Sequence, residues 1–209
     1  EGIRFYNEFG EPVERQQLKA DWDMEAAEKG GYPHFMLKEI NEQPAAIMAT
    51  VSPRVEDGLP VLRIPELTDE VLRGIGRVHL VGCGTAMHAG MVGKSAIETL
   101  ARVPAEVDIA SEFRYRDPIL EKNDLVIIIS QSGETSDTLA ALKLAKSRGV
   151  PVLAIVNVVG SSIARAADHV LYTYAGPEIA VATTKAYMVQ MCVLYLFAFR
   201  LALARGEQT

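Results

Sequence analysis

At 209 residues the chain has room for one full domain and an appendage rather than two complete domains. Its 49% hydrophobic and 23% charged residues are the balance of a globular protein able to bury about 70% of its unfolded surface without a disulfide or metal staple, which excludes disorder and collagen-like repeats. The net charge of −6 is concentrated in residues 1–43, which hold ten acids against five bases. The remainder is nearly neutral and has no basic cluster to meet a nucleic-acid backbone.

In chain order, residues 3–15 read as a hairpin around Glu8-Phe9-Gly10-Glu11-Pro12. An acidic helix is expected over 22–31, ended by Gly30-Gly31, and a second from His34 to Glu42. Pro44 is expected to open a further helix as a first-turn proline, and Pro53, Gly58 and Pro60 to break the chain again. Residues 1–60 therefore read as a linker-like arm ahead of a main domain at 61–209.

From residue 66 the pattern alternates. Helices are expected at 66–74, 85–102, 135–148, 161–166 and 181–205, with strands at 77–81, 106–110, 125–129, 151–156 and 169–174. The strands are continuous apolar runs, so both faces are covered. An α/β fold with a mainly parallel sheet between helical layers follows, with ligands beyond the carboxyl ends of the strands. Residues 186–204 approach membrane-spanning length, but Gln190 and Arg200 interrupt them, and a buried helix or subunit interface is the better reading than a membrane span.

Three loops at those carboxyl ends carry the chemistry. Ser130-Gln131-Ser132-Gly133-Glu134-Thr135 sets three hydroxyls and a glycine at a strand-to-helix junction, where free backbone amides and the helix dipole favour a phosphate. No lysine follows the glycine, so this is no nucleotide P-loop. Simple capping is the competing reading, and three hydroxyls in one turn exceed what capping needs. Gly82-Cys83-Gly84-Thr85 is either a site of close ligand approach or a tight turn. Gly176 to Lys185 is either a loop with an N-cap or a ligand-lining segment in which Glu178 and Lys185 add polar contacts.

Glu134 should face away from the phosphate turn, where its charge would repel the ligand. Cys83 lacks a neighbour in sequence that would activate it, and His34, His79, His88 and His169 show no metal-ligand spacing, so structural roles are expected for all five. Cys83 and Cys192 form neither a disulfide framework nor a metal cluster, which suits a reducing cytoplasm. The chain shows no signal peptide and opens at Glu1 in a strand-like run, and it reads as part of a longer protein.

The motifs Gly82-Cys83-Gly84-Thr85, Ala110 to Arg116, Ser130 to Thr135 and Val181 to Ala186 occur in the order and spacing of a known family. Together they resemble the isomerase part of the glutamine–fructose-6-phosphate aminotransferases, the glucosamine-6-phosphate synthases, over about residues 20–205. The resemblance implies an SIS (sugar isomerase) three-layer αβα sandwich. Residues 1–60 would be the end of a glutaminase domain and the interdomain linker, and residues 61–209 the first SIS subdomain.

It also implies roles. Thr85, Ser130, Gln131, Ser132 and Thr135, with Gly133 in their turn, would hold fructose 6-phosphate or glucosamine 6-phosphate chiefly through its phosphate. Cys83, Gly84, Val181 and Ala182 would line the sugar. Where family members often place Ser after the first-loop Thr, this chain has Ala86. No cofactor or metal is implied. The expected partners are the sugar phosphate and a second copy of the chain, with no nucleic acid and no membrane. Neither the glutaminase cysteine nor the second subdomain's acid/base groups lie in this sequence, so the piece should bind without catalysing, with Glu178 and Lys185 as its only weak catalytic candidates. A sugar-phosphate sensor and a fructosamine-phosphate deglycase are the alternatives.

Overall fold

The computed structural model of the chain describes residues 4–14 and 28–207. The expected hairpin is present as β1 (Phe5–Tyr6) paired antiparallel with β2 (Pro12–Val13). Asn7 Oδ1 closes its turn by accepting from the amides of Phe9 and Glu11. The acidic helix expected over 22–31 falls mostly outside the described residues, and residues 28–31 form a bend and turn.

Helix α1 (Phe35–Val51) runs straight through Pro44, where a break and restart were expected. Proline removes one helical hydrogen bond and crowds the preceding turn, a cost of about 3 kcal/mol in isolation. Here Pro44 and Ile40 both lie on the exposed face, so the carbonyl that loses its donor is on the solvent side. The opposite face is held by packing of Ala46 and Ile47 against Ala175, Ala186 and Val189. After a 3₁₀ turn at Ser52–Arg54 comes a second hairpin, β3 (Val55–Glu56) with β4 (Leu59–Pro60), where Pro53, Gly58 and Pro60 point only to chain breaks. Its turn is Asp57-Gly58, both at positive φ, the dipeptide that tight hairpins favour.

Helix α2 (Asp69–Gly74) begins three residues later than expected because Thr68 caps it, accepting from the amide of Val71. Five parallel strands follow: β5 (Arg77–Gly82), β6 (Ala105–Ile109), β7 (Asp124–Ser130), β8 (Val152–Val156) and β9 (His169–Tyr172). They lie in the order β6-β5-β7-β8-β9. The chain winds outward in one direction from β5 to β6, then crosses back to build the rest from β7. Between β5 and β7 lies the switch point at which open α/β sheets leave a crevice.

Helices α3 (Thr85–Ala96), which continues as a π-helical turn to Ala101, and α7 (Lys185–Arg205) cover one face with α1 and α2. Helices α4 (Ala110–Phe113), α5 (Ser136–Ser147) and α6 (Ser162–Ala166) cover the other. Side chains divide by face as a pleated strand requires. Leu125, Ile127 and Ile129 of β7 enter the core with α3 and α7, and Val126 and Ile128 enter the one with α5.

Helix α7 begins at Lys185, not 181, because residues 181–184 remain in the loop before it. By length and composition it could cross a membrane. Val193, Leu194, Phe197 and Leu201 are instead part of the core. Gly93 lets it approach α3, since a Cβ there would come within 3.0 Å of Leu194. At the far, amino end of the sheet, buried His79 pairs with Asp124 at 3.0 Å, the structural role expected of it.

Candidate functional site

A cavity of about 240 Å³ opens beyond the carboxyl ends of β5 and β7. Its floor begins with Gly82, where a Cβ would crowd the carbonyl of Ile129 at 3.0 Å, so glycine lets the two strands close on each other without displacement. The chain then turns through Gly84 at positive φ into α3, whose first turn is closely packed around Ala86. Cys83, Thr85 and Ala86 line the cavity from this side. The Cys83 thiol lies 3.7 Å from the hydroxyl of Thr138 on α5.

The β7 side supplies the hydroxyl-rich turn. Ser130 Oγ accepts from the amide of Gly133 and lies 3.5 Å from Thr135 Oγ1. Ser132 Oγ accepts from the amide of Glu134. Gly133 sits at φ +68°, and a Cβ on it would fall 2.1 Å from Ser161 Oγ, so the turn has room for no other residue. Thr135 is the N-cap of α5 in backbone terms, yet its hydroxyl makes no capping bond and is presented to the cavity. Positive helix terminus and hydroxyls therefore converge on one space.

Glu134 turns out of this space, its carboxylate accepting from the amide of Ser162 at 2.7 Å. Hydrogen bonding to Ser162 holds that carboxyl below its usual range. The acid in the first turn of α5, Asp137, is matched by Arg114 at 2.7 Å. No lysine or arginine lines the cavity among the described residues. An anion held there meets dipoles and hydroxyls rather than a cation.

The third wall is the loop from Gly176 into α7. Asn157 fastens its start, donating to the carbonyl of Gly176 and accepting from the amide of Ala175. Glu39 of α1 accepts from the amides of Ile179 and Ala180 at 2.7 and 3.1 Å. Ala180 and Val181 line the opening, Val181 fully exposed. Glu178 also lines the cavity, but its carboxylate is committed to the hydroxyl of Thr183 and the amides of Thr184 and Ala186, which makes it the cap of α7. Lys185 lies outside the lining, 2% exposed and paired with Glu42 at 2.6 Å.

Of the residues singled out in the sequence, the fold brings Cys83, Thr85, Ser130, Gln131, Ser132, Thr135 and Val181 to one cavity. Gly84, Gly133 and Ala182 shape its loops without lining it. Thr138, Ala180, Thr183 and Gln190 also line it and were not singled out as site residues. Thr138 follows a recognised loop by one helical turn, which is a usable signal. Gln190 sits in an apolar helix, where the face it occupies is decided by packing alone. Glu39 lies some 140 residues from the loop it holds, and nothing local marks it.

The SIS domain family model matches residues 71–200, and the chain belongs to that family. Over 210 aligned residues it is 58% identical to the glutamine–fructose-6-phosphate aminotransferase (isomerizing) of Clostridium acetobutylicum, covering all of this chain and 34% of that protein. The chain thus spans about a third of the length of the curated relatives it matches. Among solved structures it resembles the C-terminal domain of the glucosamine-fructose-6-phosphate aminotransferase from Francisella tularensis. That match has 42% identity and a TM-score of 0.83, over 87% of this chain and 51% of that one. A putative phosphosugar isomerase from Silicibacter pomeroyi matches at 26% identity and a TM-score of 0.70, over 81% of this chain and 50% of that one.

Proposed function

We propose that the chain is the part of a glutamine–fructose-6-phosphate aminotransferase that binds fructose 6-phosphate. Residues 1–60 would be the end of the glutaminase domain and the linker, and residues 61–209 the first SIS subdomain. The parent would convert fructose 6-phosphate and glutamine to glucosamine 6-phosphate and glutamate in the cytoplasm, as a homodimer. The observation that carries the reading is the hydroxyl turn at the N-terminus of α5, set at the switch between β5 and β7. It occurs in a chain alignable throughout with those aminotransferases.

In this reading the phosphate sits at the start of α5, taking hydrogen bonds from the hydroxyls of Ser130, Ser132 and Thr135 and from the backbone amides there. Gln131 adds a carboxamide beside it. The sugar then extends along Cys83, Thr85 and the loop at Ala180 and Val181. Ala86 presents only a methyl group, so that position gives the phosphate no hydroxyl.

Proton transfer between adjacent carbons requires a positioned base. Glu178 is spent on capping and Lys185 on Glu42, so this piece binds and does not turn over. Titrating the chain with fructose 6-phosphate and with fructose should show binding of the phosphorylated sugar alone. Ser132→Ala should weaken that binding by about 1–3 kcal/mol, the loss of a hydrogen bond to a charged group. Equal affinity for fructose would overturn the phosphate assignment. Isomerisation of fructose 6-phosphate by the chain alone would overturn the division of labour.

A further inference from the structure

Gln190 is 3% exposed, and its side chain lines the cavity. No donor or acceptor among the described residues meets its carboxamide. Its neighbours on α7, Ala186, Val189, Val193 and Leu194, are buried and apolar. On a core helix of that kind an apolar residue would pack without loss, whereas this amide has no partner on the protein and keeps its polar atoms open to the cavity. A partner arriving from the cavity accounts for it.

The position of α7 indicates which part of a ligand Gln190 meets. Helix α5, with the hydroxyl turn at its N-terminus, lies on one face of the sheet, and α7 packs with α3 on the other. Gln190 therefore reaches the cavity from the wall opposite the phosphate turn. Of the polar side chains that the α7 segment brings to that wall, Glu178 and Thr183 are bonded to each other. Gln190 alone is uncommitted. Its carboxamide offers an acceptor and two donors side by side, which matches adjacent oxygens on a carbon chain, one hydroxyl and one hydroxyl or carbonyl.

We infer that Gln190 is a specificity-determining residue that hydrogen-bonds hydroxyl or carbonyl oxygens of the carbon chain of a sugar phosphate. This inference rests on the sugar-phosphate reading above.

The test compares the unaltered chain with Gln190→Met and Gln190→Leu, using NMR titration with fructose 6-phosphate and with inorganic phosphate, and thermal unfolding without ligand. Both variants should lose about tenfold in affinity for fructose 6-phosphate, keep their affinity for inorganic phosphate, and melt at or above the temperature of the unaltered chain. Unchanged affinity for the sugar phosphate would overturn the assignment, as would an equal loss for both ligands. Lowered melting without a selective loss would make Gln190 a packing residue. An unaltered chain that binds inorganic phosphate but gains nothing from the sugar would overturn this inference and spare the phosphate turn. One that binds neither would overturn both readings.

Discussion

Lys185, the first residue of α7, and Glu42 of α1 form an ion pair at 2.6 Å between positions 143 residues apart. Together with the Glu178 cap, the pair ties the start of α7 and the end of the loop carrying Ala180 and Val181 to α1. The Lys185 side chain is 3% exposed and that of Glu42 33%, and Glu42 also pairs at 3.5 Å with Lys38, whose side chain is 9% exposed, so two buried ammonium groups share one carboxylate that water still reaches.

Glu42→Ala should therefore destabilise the chain by about 2–3 kcal/mol, less than the loss from a fully enclosed pair because water can reach the vacated site. Lys185→Met, which removes the buried charge itself and keeps the stem, should cost less than half as much. Urea midpoints of the two variants give the comparison, and equal losses would refute the asymmetry.

Glu39→Ala removes the acceptor shared by the amides of Ile179 and Ala180. Hydrogen bonds to a charged group contribute roughly 1.5–3 kcal/mol, which translates into amide exchange about 10- to 100-fold faster at those two positions. Exchange in β7 should stay unchanged. Glu39→Gln keeps an oxygen for both amides and should fall between the alanine variant and the unaltered chain.

Gly133→Ala places a methyl group against Ser161 Oγ and forces an L residue to φ +68°. The combined strain should cost about 2–4 kcal/mol and loosen the phosphate turn. Because Gly74 has open space around the position of its missing Cβ, Gly74→Ala is the control and should be neutral or slightly stabilising. Thermal melts and fructose 6-phosphate titrations on both variants check this.

Acid should unfold the chain partly through Asp168. Burial opposes its charge, but the hydrogen bonds from Lys146 and from the amide of Val152, with the positive charges nearby, outweigh it and hold its pKa below the ordinary 3.8. A carboxyl depressed in the folded state contributes stability that is present above its unfolded pKa and lost as pH falls toward the folded value. Stability should hold level near neutrality and fall below about pH 4. Asp168→Asn should start lower at pH 7 and show a shallower acid slope in urea titrations between pH 5 and 2.5.

The central sheet was legible because its strands are apolar runs such as Leu125 to Ile129, bounded by glycine, proline and charge. Their observed limits lie within a residue or two of those expected. Pro44 misled because a breaker rule describes a helix in isolation, and α1 is held along its other face by α7. The Asp57-Gly58 hairpin was hidden by strands of two residues each, too short to show alternation. In the site, residues next to a glycine turn were recognisable from local chemistry. Gln190 and Glu39 act through the placement of whole helices, which no window of sequence contains.

Among the described residues no cation lines the cavity, and this has a kinetic side. A lysine-lined pocket draws a dianion from a distance and loses that pull as salt screens it. Here the attraction comes from peptide dipoles and hydroxyls that act only at contact, inside a chain whose net charge is −6. The approach of a phosphorylated ligand gains no pull from a cation in the described lining, and recognition begins once the ligand is seated. Occupancy should then follow ligand concentration and should not fall as ionic strength rises, because salt also screens the chain's net repulsion of a dianion.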